Sequence, residues 1–366
     1  MRYFGRGRSE NDAKSRREAE RRYFEFMGQQ HRLEPVELLL SKATISNVCE
    51  KYIQHLETRH KRDQTYRGVK NGSGPEVSAL HMEKTRCCLD DFVAFIGRKT
   101  QFAAVQELTL EDYRNHTLDL PISRKTQRRI SPHTAKTRLA TVKALYQWGY
   151  EMRLCDLPRN LKKYARVELP EPEPEVFTVE EIRMLWIAAT PRMKCFIALG
   201  LNCGYGQKDI ADLTAKEVDS GHGFIERERS KTGISARHKL WKVTVELLRD
   251  QINAEAGPDD LAFRTSKGNP LVQNTWIDSK LKRSDSISCS FRRLMKRAEI
   301  DNGRSFYSLR KTGASLIERI DPSVTEMYLA HAERGMKRNY AERNWEALDR
   351  ALTEAEERLR LDGPPV

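Results

Sequence analysis

No apolar run in this 366-residue chain reaches the roughly 18 residues that a bilayer-spanning helix needs. The opening stretch, MRYFGRGRSENDAKSRREAERR, carries no hydrophobic segment of the secretory type. Together these absences lead to the expectation of a cytoplasmic protein with no membrane contact. The seven cysteines (Cys49, Cys87, Cys88, Cys155, Cys195, Cys203 and Cys289) form no CxxC pair and have no histidine at zinc-ligand spacing, so no metal is expected and the thiols read as reduced. Internal repeats are missing, and the one biased tract is a short Pro/Glu run. Acidic residues are also in deficit, 52 Asp plus Glu against 65 Lys plus Arg, for a formal charge of +13. Such a balance suits a nucleic acid or another anionic partner.

The length allows two domains, each with its own core. Residues 1–40 mix Arg with Glu and Asp and read as a charged tail, a solvated helix or a nucleic-acid-contacting arm. From about residue 41 the pattern turns helical. VSALHMEKTRCCLDDFVAFIG sets Leu80, Cys87 or Cys88, Phe92 and Phe95 on one face, and the polar, Gly-rich RHKRDQTYRGVKNGSGPE before it reads as an exposed loop. Thr109 and Asp112 have the capping-box spacing, and Ser131-Pro132 supplies an N-cap and an N1 proline for a long helix with Leu139, Val142 and Tyr146 on one side. Residues 41–165 therefore read as a bundle of about four helices.

RVELPEPEPEVF, residues 166–177, is too rich in proline for a helix and marks the boundary between domains. Residues 178–366 open with a second capping box, Thr178 and Glu181, ahead of Ile182, Leu185, Trp186 and Ala189 at helical spacing. In GFIERERSKTGISARHKLWKV, Lys231-Thr232-Gly233 reads as the tip between two short polar strands. Ser323 and Glu326 suggest a cap for a short helix running to His331. The tail NWEALDRALTEAEERLRL is helical through Trp345, Leu348, Leu352 and Leu359, to pack either on its own domain or on a neighbouring protomer. The fold class expected is α+β, mainly helical: an N-terminal helical bundle, then a mainly helical domain with a small antiparallel sheet.

Three segments of the second domain could carry chemistry: SKTGISARHK with Lys231, FYSLRKTGASLI with Arg310, and LAHAERGMKRNY with His331 nine residues before Tyr340. Each alone is compatible with an ordinary surface. Their order and spacing resemble the tyrosine recombinases, or phage integrase family, in which a hairpin lysine, an HxxR helix and LGH precede a nucleophilic tyrosine. SKTG, YSLRKT, LAH and Tyr340 are the matching segments; DLAFRTSKGNPL resembles the loop between hairpin and HxxR helix, and SPHTAKTRLATVKALYQW the end of the core-binding domain. The resemblance covers roughly residues 41–345.

It implies a site-specific recombinase that cuts and rejoins double-stranded DNA through a 3′-phosphotyrosyl intermediate at Tyr340, without cofactor or small-molecule substrate, and that self-assembles on paired DNA sites. Arg310 would clamp the phosphate, a role suited to a planar, permanently charged fork. Lys231 would protonate the departing 5′ oxygen, and His331 and Tyr307, the latter at the HxxR histidine position, would donate hydrogen bonds to the phosphate. Arg124, Lys125, Arg128, Arg129, Lys136, Arg138 and Lys143, clustered around the start of the long helix, would bind DNA backbone.

One departure matters most. The family's first arginine lies in a motif like TGLRxSEL, and aligning NCGYGQKDIADL to it by Gly204, Asp209 and Leu213 puts Gly206 at the arginine position. Either Lys208 or Gln207 reaches the phosphate instead, or the chain is a cleavage-deficient DNA-binding protein on the same scaffold.

Overall fold

The computed structural model describes residues 43–65, 77–171, 175–219, 221–229, 234–252, 256–277, 280–300, 303–331 and 343–361. The chain divides into two compact units, residues 1–61 with 80–170, and residues 62–79 with 171–366.

The first unit is built from α1 (Ile45–Thr65), α2 (Ala79–Ile96), α3 (Glu107–Leu118), α4 (Pro132–Glu151) and the single turn α5 (Leu161–Tyr164). Its core is aromatic. Phe102 stacks on Tyr146 at 4.6 Å between ring centroids, and Phe92 meets Tyr113 edge-on at 4.9 Å. Such pairs add about 0.5–1.5 kcal/mol each beyond their buried area. Helix α4 begins as its sequence dictates, Ser131 Oγ accepting the Thr134 N–H at 3.2 Å, and buries Leu139, Val142 and Tyr146.

Two local expectations are corrected here. Helix α3 starts at Glu107 with Gln106 as N-cap, so Thr109 and Asp112 make no capping box; the Glu107 carboxylate instead accepts the Arg159 N–H at 3.1 Å. On α2 the buried face is Met82, Thr85, Cys88, Leu89, Phe92 and Val93, while Cys87 is exposed and Phe95 lies partly open, stacked on His116 at 4.9 Å.

The second unit runs α6 (Val179–Ala188), α7 (Pro191–Asn202), α8 (Gln207–Ala211), β1 (Val218–Asp219), β2 (Phe224–Arg229), β3 (Ile234–Lys239), α9 (Lys242–Gln251), β4 (Val272–Ile277), β5 (Lys280–Asp285), α10 (Ser286–Arg297), α11 (Tyr307–Ile320), α12 (Thr325–Tyr328) and α13 (Trp345–Leu359). The Thr178–Glu181 capping box forms in full, with both reciprocal bonds present at 2.9 and 3.2 Å. Strands β1, β2 and β3 make one antiparallel sheet; β4 and β5 make a separate hairpin that the sequence pattern did not reveal. Helix α12 is reached through a 3₁₀ turn capped by Asp321, whose carboxylate accepts the Ser323 N–H at 2.9 Å, so the cap is two residues earlier than the Ser323–Glu326 spacing suggests.

Helix α13 packs on its own domain, one of the two placements its sequence allows. It buries Ala347, Leu348, Ala351, Leu352, Ala355 and Leu359. Polar groups fix its register: the Leu352 carbonyl accepts the Trp241 indole N–H at 2.8 Å, and Glu356 accepts the Lys242 N–H at 2.7 Å.

Candidate functional site

Strands β2 and β3 pair from Phe224 opposite Lys239 to Arg229 opposite Ile234. Alternation places Ile225, Arg227, Ala236 and His238 on one face, and all four are buried. The tip carrying Lys231 lies outside the described residues, as does Tyr340 within residues 332–342.

Helix α11 approaches α7 closely, since a Cβ on Gly200 would stand 3.1 Å from Leu309 Cβ. That contact buries Leu309, while Tyr307 two residues earlier is 45% exposed. Arg310 is only 4% exposed. Its guanidinium donates to the Gly204 carbonyl through Nη1, and to the Leu329 carbonyl through Nη2 at 2.6 Å. One side chain thus joins the YSLR helix, the turn before α8 and the LAH segment.

Tyr328 completes the junction. Its hydroxyl donates to the Leu201 carbonyl at 2.6 Å, and its own carbonyl lies 2.9 Å from His238 Nε2, linking LAH to strand β3. Two glycines make room for the ring. Gly204 has φ +63°, and a Cβ there would lie 3.0 Å from the tyrosine ring; a Cβ on Gly313 would fall 2.0 Å from the hydroxyl and 2.7 Å from the Leu201 carbonyl. Beyond Tyr328, Ala330 adopts a left-handed φ of +48°, at the position where the resembling family has the glycine of LGH. His331 follows, exposed, with Nδ1 2.9 Å from Glu326 Oε2.

Gly206 stands at the N-terminus of α8 with φ −86° and ψ 176°, ordinary extended backbone, and its N–H donates to Asp209 Oδ2 at 2.9 Å. The Tyr307 ring is its neighbour, 3.5 Å from where a Cβ on Gly206 would stand. Neither candidate replacement is idle. Lys208 pairs with Asp212 at 2.6 Å on the surface, and Gln207 donates to Ser288 Oγ at 2.9 Å.

Two residues that sequence reasoning passed over sit at this junction, Arg227 and His238. Strand parity is the signal that could have found them, because each lies on the same face as Ile225. His238 is buried, and desolvation pushes its pKa down to about 4. A neutral ring with its proton on Nε2 can donate to the Tyr328 carbonyl, and Nδ1 then has no partner among the described residues. The consequence for stability has a definite sign. The unfolded chain, with histidine near 6.5, binds a proton that the folded state excludes until about pH 4, so stability falls as pH drops from about 6.5 toward 4. Chemical denaturation at pH 7 and pH 5 should show a loss on the order of 1–2 kcal/mol that His238→Phe removes.

In the first unit the basic cluster is only partly a surface. Ile122 bridges Arg129, and the Ser123 N–H donates to the Arg128 carbonyl at 2.8 Å, forming a small hairpin that displays Arg124, Lys125, Arg128 and Arg129, all exposed. Lys136 is exposed on the first turns of α4 and Lys143 is half-buried. Arg138 differs: it pairs with Asp91 at 2.8 Å, and Asp91 also accepts the Tyr113 hydroxyl at 3.1 Å. That arginine ties helices together, so the exposed set is the hairpin four with Lys136.

Among the described residues, no helix is long and apolar enough to cross a membrane, and no group of three metal-ligating side chains converges. Residues 175–346 match the profile of the phage integrase family. Comparison with curated proteins returns no match. Among solved structures, the fold is similar to a lambda integrase tetramer bound to a Holliday junction, at 15% identity and TM-score 0.58, covering 93% of this chain and 92% of that one. It is also similar to the Tn1549 transposon integrase in complex with transposon right end DNA, at 14% identity and TM-score 0.56, covering 88% of this chain and 100% of that one. At such identities the likeness concerns the fold.

Proposed function

From residues 175–346, which carry a phage integrase family domain, we propose that the chain is a site-specific DNA recombinase that cleaves and rejoins double-stranded DNA through Tyr340. The observation that carries this reading is the Arg310 junction. Motifs far apart in sequence, the 204–209 turn, YSLR and LAH, converge on one buried guanidinium, and His238 joins the hairpin strand to them.

In the reaction the Tyr340 phenol oxygen attacks the phosphorus, a P–O bond to tyrosine forms, and the bond to the 5′ oxygen breaks. Lys231 delivers a proton to that oxygen, the phenol's own proton passes to solvent, and the reverse step returns both. Arg310 meets the negative charge that grows on the nonbridging oxygens, with the fork held by two carbonyls before DNA arrives. His331 and Tyr307 add hydrogen-bond donors to the same phosphate. The hairpin four and Lys136 bind backbone phosphates, which makes affinity strongly salt-dependent. The location that goes with this reading is cytoplasmic and DNA-associated, and lambda integrase's tetramer on a Holliday junction supports assembly of several copies on paired sites.

The test uses suicide duplexes nicked near candidate sites from DNA flanking the gene. A covalent protein–DNA adduct on denaturing gels, lost in Tyr340→Phe, is the expected result. Specific binding without adduct would leave a DNA-binding protein on a recombinase scaffold.

A further inference from the structure

The turn that lacks its own arginine is held by two arginines that reach it from elsewhere. Arg310 takes the Gly204 carbonyl from α11. Arg227 takes the other end from β2: its Nη1 donates to the Asp209 carbonyl at 2.5 Å, and its guanidinium carbon lies 5.5 Å from the centroid of the Tyr205 ring, beside Gly206. Glu217, 3.6 Å from Nε, balances part of its charge. Arg227 is 8% exposed, and a strand position facing the core is an expensive place for a cation with only a structural duty that an apolar residue could fill.

A small cavity of about 10 Å³ separates the two arginines, lined also by Tyr205, His238, Tyr328 and Ala330. The Tyr205 hydroxyl and His238 Nδ1, both buried, have no hydrogen-bond partner among the described residues. The two guanidinium contacts hold the turn at its two ends, Gly204 and Asp209, on either side of this gap.

Resting on the recombinase reading, we propose that Arg227 is a positioning residue that compensates for Gly206: it fixes the 204–209 turn from β2, and through the Gly204 carbonyl sets the orientation in which Arg310 meets the phosphate. The side chain does not touch DNA. A misplacement of about 1 Å in such a clamp can cost on the order of a hundredfold in rate.

The experiment measures single-turnover adduct formation by the full chain on nicked duplex, with DNA affinity and melting temperature alongside. Arg227→Lys is expected to slow the adduct at least about tenfold at saturating DNA, with unchanged affinity. Because Arg227 acts through Arg310, adding Arg227→Lys to Arg310→Lys should give little further loss, whereas a merely structural role gives additive losses. If Arg227→Lys melts below the assay temperature, Tyr205→Leu, which removes the ring beneath the guanidinium, carries the same two expectations. An adduct whose rate ignores these variants, or losses that add in full, overturns the proposal alone. No adduct from the unaltered protein removes the recombinase reading and this proposal with it.

Discussion

Arg310→Lys should slow formation of the covalent adduct about a hundredfold to a thousandfold, the range found when a preorganised donor to a developing oxyanion is removed. Lysine keeps the charge but not the fork. Arg310 reaches two carbonyls in different segments, Gly204 and Leu329, and a single ammonium on a flexible stem cannot hold both while presenting a planar pair of donors to phosphate. The variant should also lose stability, because a carbonyl left unpaired in this buried place costs about 1–3 kcal/mol. Melting and single-turnover rates measured together separate the effects. A variant that melts lower but cleaves at the original rate would show that Arg310 is only a strut.

Gly206→Arg should act in the opposite direction, raising the adduct rate by up to about a hundredfold. The backbone there is already compatible with any residue, at φ −86°. The nearest atoms to an added Cβ are Asp209 Oδ2 at 3.4 Å and the Tyr307 ring at 3.5 Å, ordinary contact distances. Loss of glycine at an N-cap costs helix α8 no more than about 1 kcal/mol. The new guanidinium would therefore arrive beside Tyr307 with little penalty. An unchanged rate would mean that the charge absent at Gly206 is not what limits cleavage.

Local signals in the sequence are legible where a few adjacent residues decide the structure by themselves. Thr178 and Glu181 close their capping box, and Ser131-Pro132 starts α4, because each cap is settled within one turn. The same pattern misleads at Thr109, where Gln106 begins the helix earlier, and at Ser323, where Asp321 offers the stronger acceptor. The burial of Arg310 has no local signal. It depends on carbonyls contributed by residues 106 positions before it and 19 after it. Arg227 and His238 escape notice because FIERERSKTGISARHK reads as a polar hairpin, and only the pairing of Ile225 with His238 shows which side faces the core. Likewise Arg138 sits in a run of basic residues, and its role is set by Asp91 on another helix.

The most direct measurement is to trap the adduct on a nicked duplex, digest it with protease and nuclease, and locate the nucleotide-bearing peptide by mass spectrometry. A nucleophilic Tyr340 predicts a single modified peptide containing that residue, joined through a 3′ phosphate, and none from Tyr340→Phe. A linkage at any other residue, or an adduct that survives the loss of the Tyr340 hydroxyl, would contradict it.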